Sequence, residues 1–313
     1  MPIASTPVNT AADPRSVAPF GRLLTAMVTP FGADGAVDLD AVQALAAYLV
    51  DQQGNDGIVV NGTTGEAPTT SDAEKSQIIA AVKAAVGDRA QVVAGVGTND
   101  TAHTIELARQ AQSAGADGLL VVTPYYNKPP QAGLVQHFTA VADATELPVV
   151  LYDIPARTSL AIADDTYKTL AEHPRIVASK DATADTERAA VLIRETGLAW
   201  YSGDDAVNLA FFAVGGVGTV SVTAHVVGAR MKQLHEAFLA GDVAAASALH
   251  NQLMPVFVGI FRTQGAILTK AALDLLGLPG GGALRLPLVP ATAAEREQLL
   301  QDLRDGGVTG LPA

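Results

Sequence analysis

The sequence predicts an α/β fold, a (β/α)8 TIM barrel with a C-terminal helical appendage. A short apolar run, a polar turn and an alanine-rich helical stretch recur eight times over about 220 residues. Each such helix returns the chain to the same edge of a sheet, so the strands are expected to be parallel, and eight units of this kind close into a barrel. After residue 242 the pattern changes to one helix after another.

A doubly wound open sheet is the structural alternative. That fold usually has fewer strands and carries a glycine-rich turn that binds a dinucleotide. The nearest match in this chain is Gly95-Val96-Gly97, which lacks the third glycine of the motif. The signal is too weak to use.

Each strand is predicted where an apolar run ends in polar residues, and each helix where alanine-rich sequence follows that turn. The predicted strands span residues 23–28, 57–60, 90–96, 118–122, 149–152, 176–180, 198–202 and 217–222. The helices that follow them span residues 39–52, 71–86, 101–114, 132–144, 163–172, 184–195, 206–213 and 226–240. Three further helices are predicted at 243–261, 265–276 and 293–303.

We therefore divide the chain into three regions. Residues 1–19 are rich in Ala, Ser, Thr and Pro and are expected to form a disordered tail. Residues 20–241 are expected to form the catalytic barrel, and residues 242–313 a helical region packed on the barrel or on a neighbouring subunit.

Composition narrows the classes of function. A formal charge of −12 argues against nucleic acid or an anionic membrane as a partner, because both are polyanions. The 313 residues include no cysteine, which leaves neither disulfides nor a thiolate nucleophile. The N-terminus lacks the basic start and apolar core of a secretory signal. We expect a cytoplasmic protein without a membrane-spanning segment.

The sixth strand ends in a lysine that is the first candidate for catalysis. In residues 176–180 the side chains of Ile176, Ala178 and Lys180 share one face, which puts Lys180 at the carboxyl end of its strand. Barrel enzymes hold their chemistry at that end. An amine attacks a carbonyl in its neutral form, and burial favours that form. The alternative is a lysine whose stem packs on apolar surface while its charged end is solvated.

Polar residues at neighbouring strand ends favour the catalytic interpretation. Tyr152 precedes Lys180 by about one βα repeat, so the two are expected on adjacent strand ends, where Tyr152 can move protons. Thr63 and Thr64 follow the second strand and offer hydroxyls, and Arg157 can clamp a carboxylate with two hydrogen bonds. Considered singly, the tyrosine could be a core residue and the Gly/Thr segment an ordinary turn.

Several motifs together resemble the dihydrodipicolinate synthase family within the pyruvate-dependent class I aldolases. The resemblance covers residues 21–292 and rests on LLTAMVTPF at 23–31, GTTGE at 62–66, TPYYNKPP at 123–130, YDIPART at 152–158, KDAT at 180–183, SGDD at 202–205, GTVSVTAH at 218–225 and LRLPLVPAT at 284–292. The arginine of YDIPART and the double threonine of GTTGE favour the synthase branch over the sialic-acid lyases.

The resemblance implies a reaction and its residues. Lys180 forms a Schiff base with pyruvate, and the enamine derived from it attacks aspartate 4-semialdehyde, an early step of diaminopimelate and lysine biosynthesis. Tyr152, Thr63 and Tyr126 match a proton relay, and Tyr126 is contributed across the tight interface of a dimer. The further substrate-binding residues that the resemblance implies are Thr64, Arg157, Gly203 and Val220. It also implies a homotetramer, a dimer of dimers, and neither cofactor nor metal.

Three residues depart from the family pattern. Ser179 stands where an apolar residue is common, Ala184 where a glycine is frequent, and Asp153 where an asparagine is common. Ser179 should point away from the barrel interior and affect packing, because side chains alternate along a strand. Asp153 is expected to change the hydrogen bonding around Tyr152. None of the three removes a catalytic group.

Other functions stay open at this point. A sister aldolase would use the same lysine on a sugar-derived 2-keto acid. A metal-dependent hydrolase would need clustered ligands, whereas the histidines are scattered and only His225 lies near the rim of the barrel. A barrel that only binds or scaffolds would not need this set of reactive groups. The resemblance also indicates weak or absent inhibition by lysine, because Asp72, Lys75 and His103 replace the residues of the family's lysine pocket.

Overall fold

A computed structural model describes residues 18–312, and within this range eight parallel strands form a closed barrel in chain order. The predicted tail at residues 1–19 lies outside the described residues, apart from its last two positions. The strands are β1 Leu23–Ala26, β2 Gly57–Val60, β3 Gln91–Gly95, β4 Gly118–Val122, β5 Val149–Asp153, β6 Ile176–Asp181, β7 Ala199–Ser202 and β8 Gly218–Ser221. The predicted barrel is confirmed, and its strand positions agree to within a few residues.

The helices follow the predicted order with one addition. They are α1 Leu39–Asp51, α2 Asp72–Val86, α3 Thr101–Ser113, α4 Gln131–Asp143, α5 Pro155–Thr158, α6 Asp164–Ala171, α7 Thr186–Thr196, α8 Asn208–Ala213, α9 Ala224–Leu239, α10 Val243–Gly259, α11 Gly265–Leu275 and α12 Ala293–Asp305. The addition is α5, a single turn that begins at a proline. Its four residues are too few for a helical hydrophobic period to be recognised.

Side-chain caps fix where several helices begin. Asp38, Asp100 and Asp185 each accept a hydrogen bond from a backbone N–H of the first turn of α1, α3 and α7. Ser71 and Glu74 form a reciprocal capping box at the start of α2. Such caps satisfy backbone donors that have no partner inside the helix. The caps therefore set the positions at which the strand-end loops give way to helices.

The sheet is buried on both faces. Every residue of β1, β2, β5, β7 and β8 is buried, as expected for parallel strands enclosed by helices. The barrel closes where β1 pairs with β8, and Leu24 is the Cα partner of Val220. The carboxyl ends of all strands therefore meet on one rim.

Ion pairs join the C-terminal region to the loops at that rim. Lys270 of α11 donates to Glu66 at 2.6 Å, and each side chain is only 1% exposed. Arg285 binds Glu74 at the start of α2 with N–O distances of 2.5 and 3.0 Å. These hydrogen bonds from Arg285 lower the pKa of Glu74 to about 2. The region thus packs on the barrel, while the domain boundary between residues 241 and 242 stays a prediction.

Among the helices of residues 18–312, none has the length and apolar character that crossing a bilayer requires.

The departure at Ala184 generates a stability prediction. Ala184 lies exposed in the loop after β6 with a φ of 61°, a left-handed conformation that strains a residue with a Cβ by about 1–2 kcal/mol. Glycine relieves this strain but loses about 0.5–1 kcal/mol through greater freedom in the unfolded chain. We expect Ala184→Gly to raise the free energy of unfolding by up to about 1 kcal/mol in urea titrations.

The matched control is Ala80→Gly at an exposed position inside α2. It should lower the free energy of unfolding by about 1 kcal/mol. A destabilised Ala184→Gly protein would contradict the assignment of strain to this position.

Candidate active site

Tyr152 and Lys180 lie side by side at the carboxyl ends of β5 and β6. They are Cα partners in the parallel pairing of the two strands. The Lys180 Nζ lies 4.2 Å from the centroid of the Tyr152 ring, and each residue is 5% exposed. The one-repeat spacing in the sequence thus corresponds to direct contact. An amine and a phenol at this separation can act on one bound carbonyl compound.

A cavity of about 410 Å³ opens beside this pair. Tyr152, Thr63 and Arg157 all line it, together with three residues of the β3 end, Gly95, Val96 and Gly97. A Cβ on Gly97 would lie 2.4 Å from the backbone N of Val122, so only glycine allows β3 and β4 to approach this closely. Lys180 does not line the cavity itself but reaches its wall through the contact with Tyr152.

A buried carboxylate anchors the loop after β2. Thr63 faces the cavity, whereas Thr64 is 8% exposed and does not line it. Glu66 ends the GTTGE segment in a left-handed conformation with a φ of 55°. Its carboxylate accepts from Lys270 Nζ at 2.6 Å and from the backbone N of Arg285 at 3.0 Å. The GTTGE motif includes this glutamate, but its partners lie more than 200 positions away in the chain.

Gly203 leaves space for the lysine. Its backbone N donates to the carbonyl oxygen of Asp181 at 2.7 Å. A Cβ at this position would lie 3.1 Å from Lys180 Cε, so a larger residue would press on the stem that carries the amine. Val220 is buried on β8. The proposed contact of Gly203 and Val220 with substrate stays a prediction.

Asp205 is a further residue whose role is visible only in the folded chain. It is 2% exposed and accepts from Ser221 Oγ at 2.9 Å and from Thr223 Oγ1 at 2.8 Å. The backbone N–H groups of Val222 and Thr223 donate to the same oxygen at 3.2 and 3.0 Å. This carboxylate therefore ties the end of β7 to the end of β8. The SGDD motif was the available signal, but the contacts themselves are long-range.

Arg157 projects from α5 at the rim. It is exposed and lines the cavity, so its guanidinium has access to a ligand there. The turn is closed by Thr158, whose hydroxyl donates to the carbonyl oxygens of Ile154 at 3.1 Å and Leu160 at 2.8 Å.

Tyr126 is not brought to the other candidates within one chain. Its side chain is 89% exposed, it does not line the cavity, and its φ of 71° is left-handed. The neighbouring Tyr125 does line the cavity. Asn127 fixes the same loop by donating to the carbonyl oxygen of Asn99 at 2.7 Å.

The predicted orientation of Ser179 is confirmed. Ser179 is fully buried, and its Oγ lies 3.0 Å from the hydroxyl of Tyr167 on α6. The side chain therefore faces the surrounding helices and not the barrel interior. Burial raises the pKa of Tyr167 well above its ordinary value, so this phenol stays neutral.

His225 is a structural residue. Its Nδ1 donates to the carbonyl oxygen of Val222 at 2.7 Å, and its Nε2 accepts from the backbone N of Val28 at 3.1 Å. Burial lowers its pKa to about 4, so the ring is neutral. Both ring nitrogens are thereby occupied. Within residues 18–312, no three His, Asp or Glu side chains are grouped so that they could hold a metal ion.

The cavity is also lined by charged residues that are not part of the proposed catalytic set. Asp72, Lys75 and His103 line it, with Asp72 Oδ2 and His103 Nε2 2.9 Å apart. The Lys75 ammonium donates to the carbonyl oxygen of Thr70. Burial lowers the pKa of Lys75.

Comparison with known proteins agrees with this geometry. The model of the dihydrodipicolinate synthetase family matches residues 19–305. The 4-hydroxy-tetrahydrodipicolinate synthase 2 of Streptomyces coelicolor is 62% identical over 290 residues, which cover 93% of this chain and 96% of that protein. The 4-hydroxy-tetrahydrodipicolinate synthase of Acidothermus cellulolyticus is 62% identical over 292 residues, covering 93% of this chain and 94% of that protein. A solved structure, the enzyme of Cyanidioschyzon merolae with lysine bound, superposes with a TM-score of 0.89 at 42% identity, covering 92% of this chain and 98% of that one.

Proposed function

Because the chain belongs to the dihydrodipicolinate synthetase family, we infer that it is a lyase that condenses pyruvate with L-aspartate 4-semialdehyde. The product is 4-hydroxy-tetrahydrodipicolinate, and the reaction is the first committed step of diaminopimelate and lysine biosynthesis. The observation that carries this conclusion at the level of atoms is the contact of Lys180 with Tyr152 beside a cavity lined by Thr63 and Arg157.

The chemistry starts at the Lys180 amine. Its Nζ attacks the keto carbon of pyruvate, and the carbinolamine loses water to give an imine. Loss of a methyl proton converts the imine into an enamine, whose carbon attacks the aldehyde carbon of the semialdehyde. The amino group of the bound semialdehyde then closes the ring and displaces Lys180. Each of these steps moves a proton, which Tyr152 and Thr63 are proposed to carry.

The remaining residues are proposed to bind substrate. Arg157 receives the carboxylate of the semialdehyde, which its fork of donors matches in geometry. Thr64, Gly203 and Val220 shape the pocket that takes pyruvate. The space that Gly203 leaves beside the lysine stem supports this role. We propose that no cofactor or metal takes part.

We further propose a homotetramer, a dimer of dimers in which the partner subunit's Tyr126 completes the proton relay. The support is that Tyr126 is 89% exposed in a left-handed conformation. An exposed tyrosine held in a strained backbone favours a contact outside its own chain. We also propose that the protein works in the cytoplasm and binds neither nucleic acid nor membrane, in accord with its charge of −12.

A steady-state assay tests the reaction. Pyruvate with aspartate 4-semialdehyde should be turned over at least about a hundredfold more efficiently than pyruvate with a sugar-derived aldehyde, because an aldehyde without the carboxylate forms no charge-assisted hydrogen bonds with Arg157. The second candidate, a sister aldolase for sugar-derived 2-keto acids, is disfavoured by Arg157 in the cavity. Preferred turnover of the sugar aldehyde would establish that second function instead.

Mixed dimers test the role of Tyr126. Tyr126→Phe and Tyr152→Phe proteins should each lose most activity, because each lacks one hydroxyl of the relay. Refolded together, they should regain activity, because one site of each mixed dimer contains both hydroxyls. Mixed dimers verified by mass spectrometry that stay inactive would contradict a site shared between subunits.

Inhibition by lysine is proposed to be weak or absent. Lys75 places a positive charge at the far end of the cavity, and the Asp72 carboxylate there is already paired with His103. A lysine ligand would therefore lack a free charged partner for its ammonium, which lowers affinity at least about tenfold. Activity titrated with lysine at subsaturating pyruvate checks this, and half-inhibition well below about 1 mM would contradict it.

A further inference from the structure

The loop that carries Arg157 is held at its far end by two charged side chains. This loop, residues 154–162, connects β5 to α6 and includes α5. The buried backbone N of Ile162 lies 3.3 and 3.4 Å from the two carboxylate oxygens of Asp153 and donates to them. The carbonyl oxygen of the same residue accepts from the guanidinium of Arg188. Both polar groups of one peptide position are therefore bound by a pair of opposite charges.

Arg188 joins three elements around this point. It comes from α7, and its Nη1 lies 3.4 Å from Asp153 Oδ2 at the end of β5. Its Nε donates to Asp164 Oδ1 on α6 at 2.7 Å. The guanidinium also lies 5.5 Å from the ring centroid of Tyr167. One arginine thus fixes the end of β5, the end of the loop and the start of α6 relative to each other.

Asp153 is buried and has few charged or hydrogen-bonding partners. Its side chain is fully buried, whereas the side chain of Arg188 is 18% exposed. Asp181 on β6 is its Cα partner, but that carboxylate is engaged with Thr183 at 2.7 Å and with Trp200 Nε1 at 3.1 Å. The other polar groups facing this site are the neutral phenol of Tyr167 and the Asp164 carboxylate that Arg188 also binds.

The buried carboxylate depends on Arg188 as its counter-charge. Burial raises the pKa of Asp153 to about 6, against the opposing effect of Arg188, and the nearby charge of Asp181 adds to the rise. The carboxylate is therefore ionised at pH 8, where its charged partner is Arg188. An uncharged side chain at this position would lose that charge-assisted bond.

We propose that Asp153 and Arg188 are positioning residues that hold the loop 154–162 and so place Arg157 for the carboxylate of the second substrate. The proposal rests on the proposed function for the identity of that substrate. Neither residue touches a reacting atom, since Asp153 and Tyr152 point to opposite faces of β5. The Asp153–Arg188 pair therefore acts on the second substrate through Arg157 and leaves imine formation with pyruvate unchanged.

Three variants separate the contributions of the two residues. Asp153→Asn keeps an acceptor for the Ile162 N–H but removes the negative charge that pairs with Arg188. Arg188→Met removes the positive charge and the donor to the Ile162 carbonyl oxygen. Arg194→Met removes a charge from the same helix at a side chain that is 75% exposed and paired with Glu195, and it serves as the control. Thermal unfolding at pH 8 verifies that each protein is folded.

The first measurement needs no substrate. Hydrogen–deuterium exchange of peptides covering residues 154–162 is compared between wild type and variant at the same pH, so that intrinsic exchange rates cancel. At pH 8, Asp153→Asn and Arg188→Met should exchange about two- to tenfold faster than wild type, and Arg194→Met should agree with wild type within about twofold. Exchange of Asp153→Asn and Arg188→Met at the wild-type rate overturns the proposal, whatever the enzyme's activity.

The second measurement is the KM for each substrate at pH 8. For aspartate 4-semialdehyde, KM should rise about two- to tenfold in Asp153→Asn and in Arg188→Met, while the KM for pyruvate stays within about twofold. Arg194→Met should behave as wild type. A loosened loop without any rise in the KM for the semialdehyde overturns the assignment to Arg157. Absence of turnover with the semialdehyde would instead refute the proposed function, and the exchange experiment would still decide the hold on the loop.

Discussion

The register of β5 against β6 is the constraint on which the rest of the site depends. Tyr152 pairs with Lys180, and the pairs on either side are Leu151 with Ser179 and Asp153 with Asp181. Because side chains alternate along a strand, a slip by one residue would turn the amine out toward the helices and bring buried carboxylates inward. The site thus requires the whole pairing pattern and not only the presence of a lysine and a tyrosine.

The outward face of these strands needs its own stabilisation. Ser179 bonds Tyr167, and Asp181 accepts from Thr183 and Trp200. Buried polar groups are costly unless their hydrogen bonds are satisfied. These contacts therefore favour the observed register of β5 against β6, because in that register the buried polar groups have hydrogen-bond partners.

The loops around the lysine are fixed by residues from distant parts of the chain. Glu66 is joined to Lys270, which is 204 positions away, and Asp205 joins the loops after β7 and β8. Breaking a buried ion pair by removing one partner typically destabilises a protein by about 3–5 kcal/mol. The C-terminal helices are thus part of the support for Thr63 and not only a cover on the barrel.

The sequence predicts the barrel and the adjacency of Tyr152 and Lys180, because both follow from local periods and from the length of one repeat. It does not predict α5, whose single turn has no period, or the pairings of Glu66, Asp205 and Arg188, which join residues that only the closed barrel brings together. The location of Tyr126 is a third kind of case, since its side chain is 89% exposed and its proposed role depends on another subunit.

Reductive trapping tests the central claim that Lys180 carries the covalent intermediate. The protein is incubated with pyruvate, reduced with borohydride, digested and analysed by mass spectrometry. The account predicts one added reduced pyruvate per chain, located on the peptide that contains Lys180, and no adduct without pyruvate. An adduct on any other lysine, or the absence of an adduct in protein that turns over its substrates, would contradict the account.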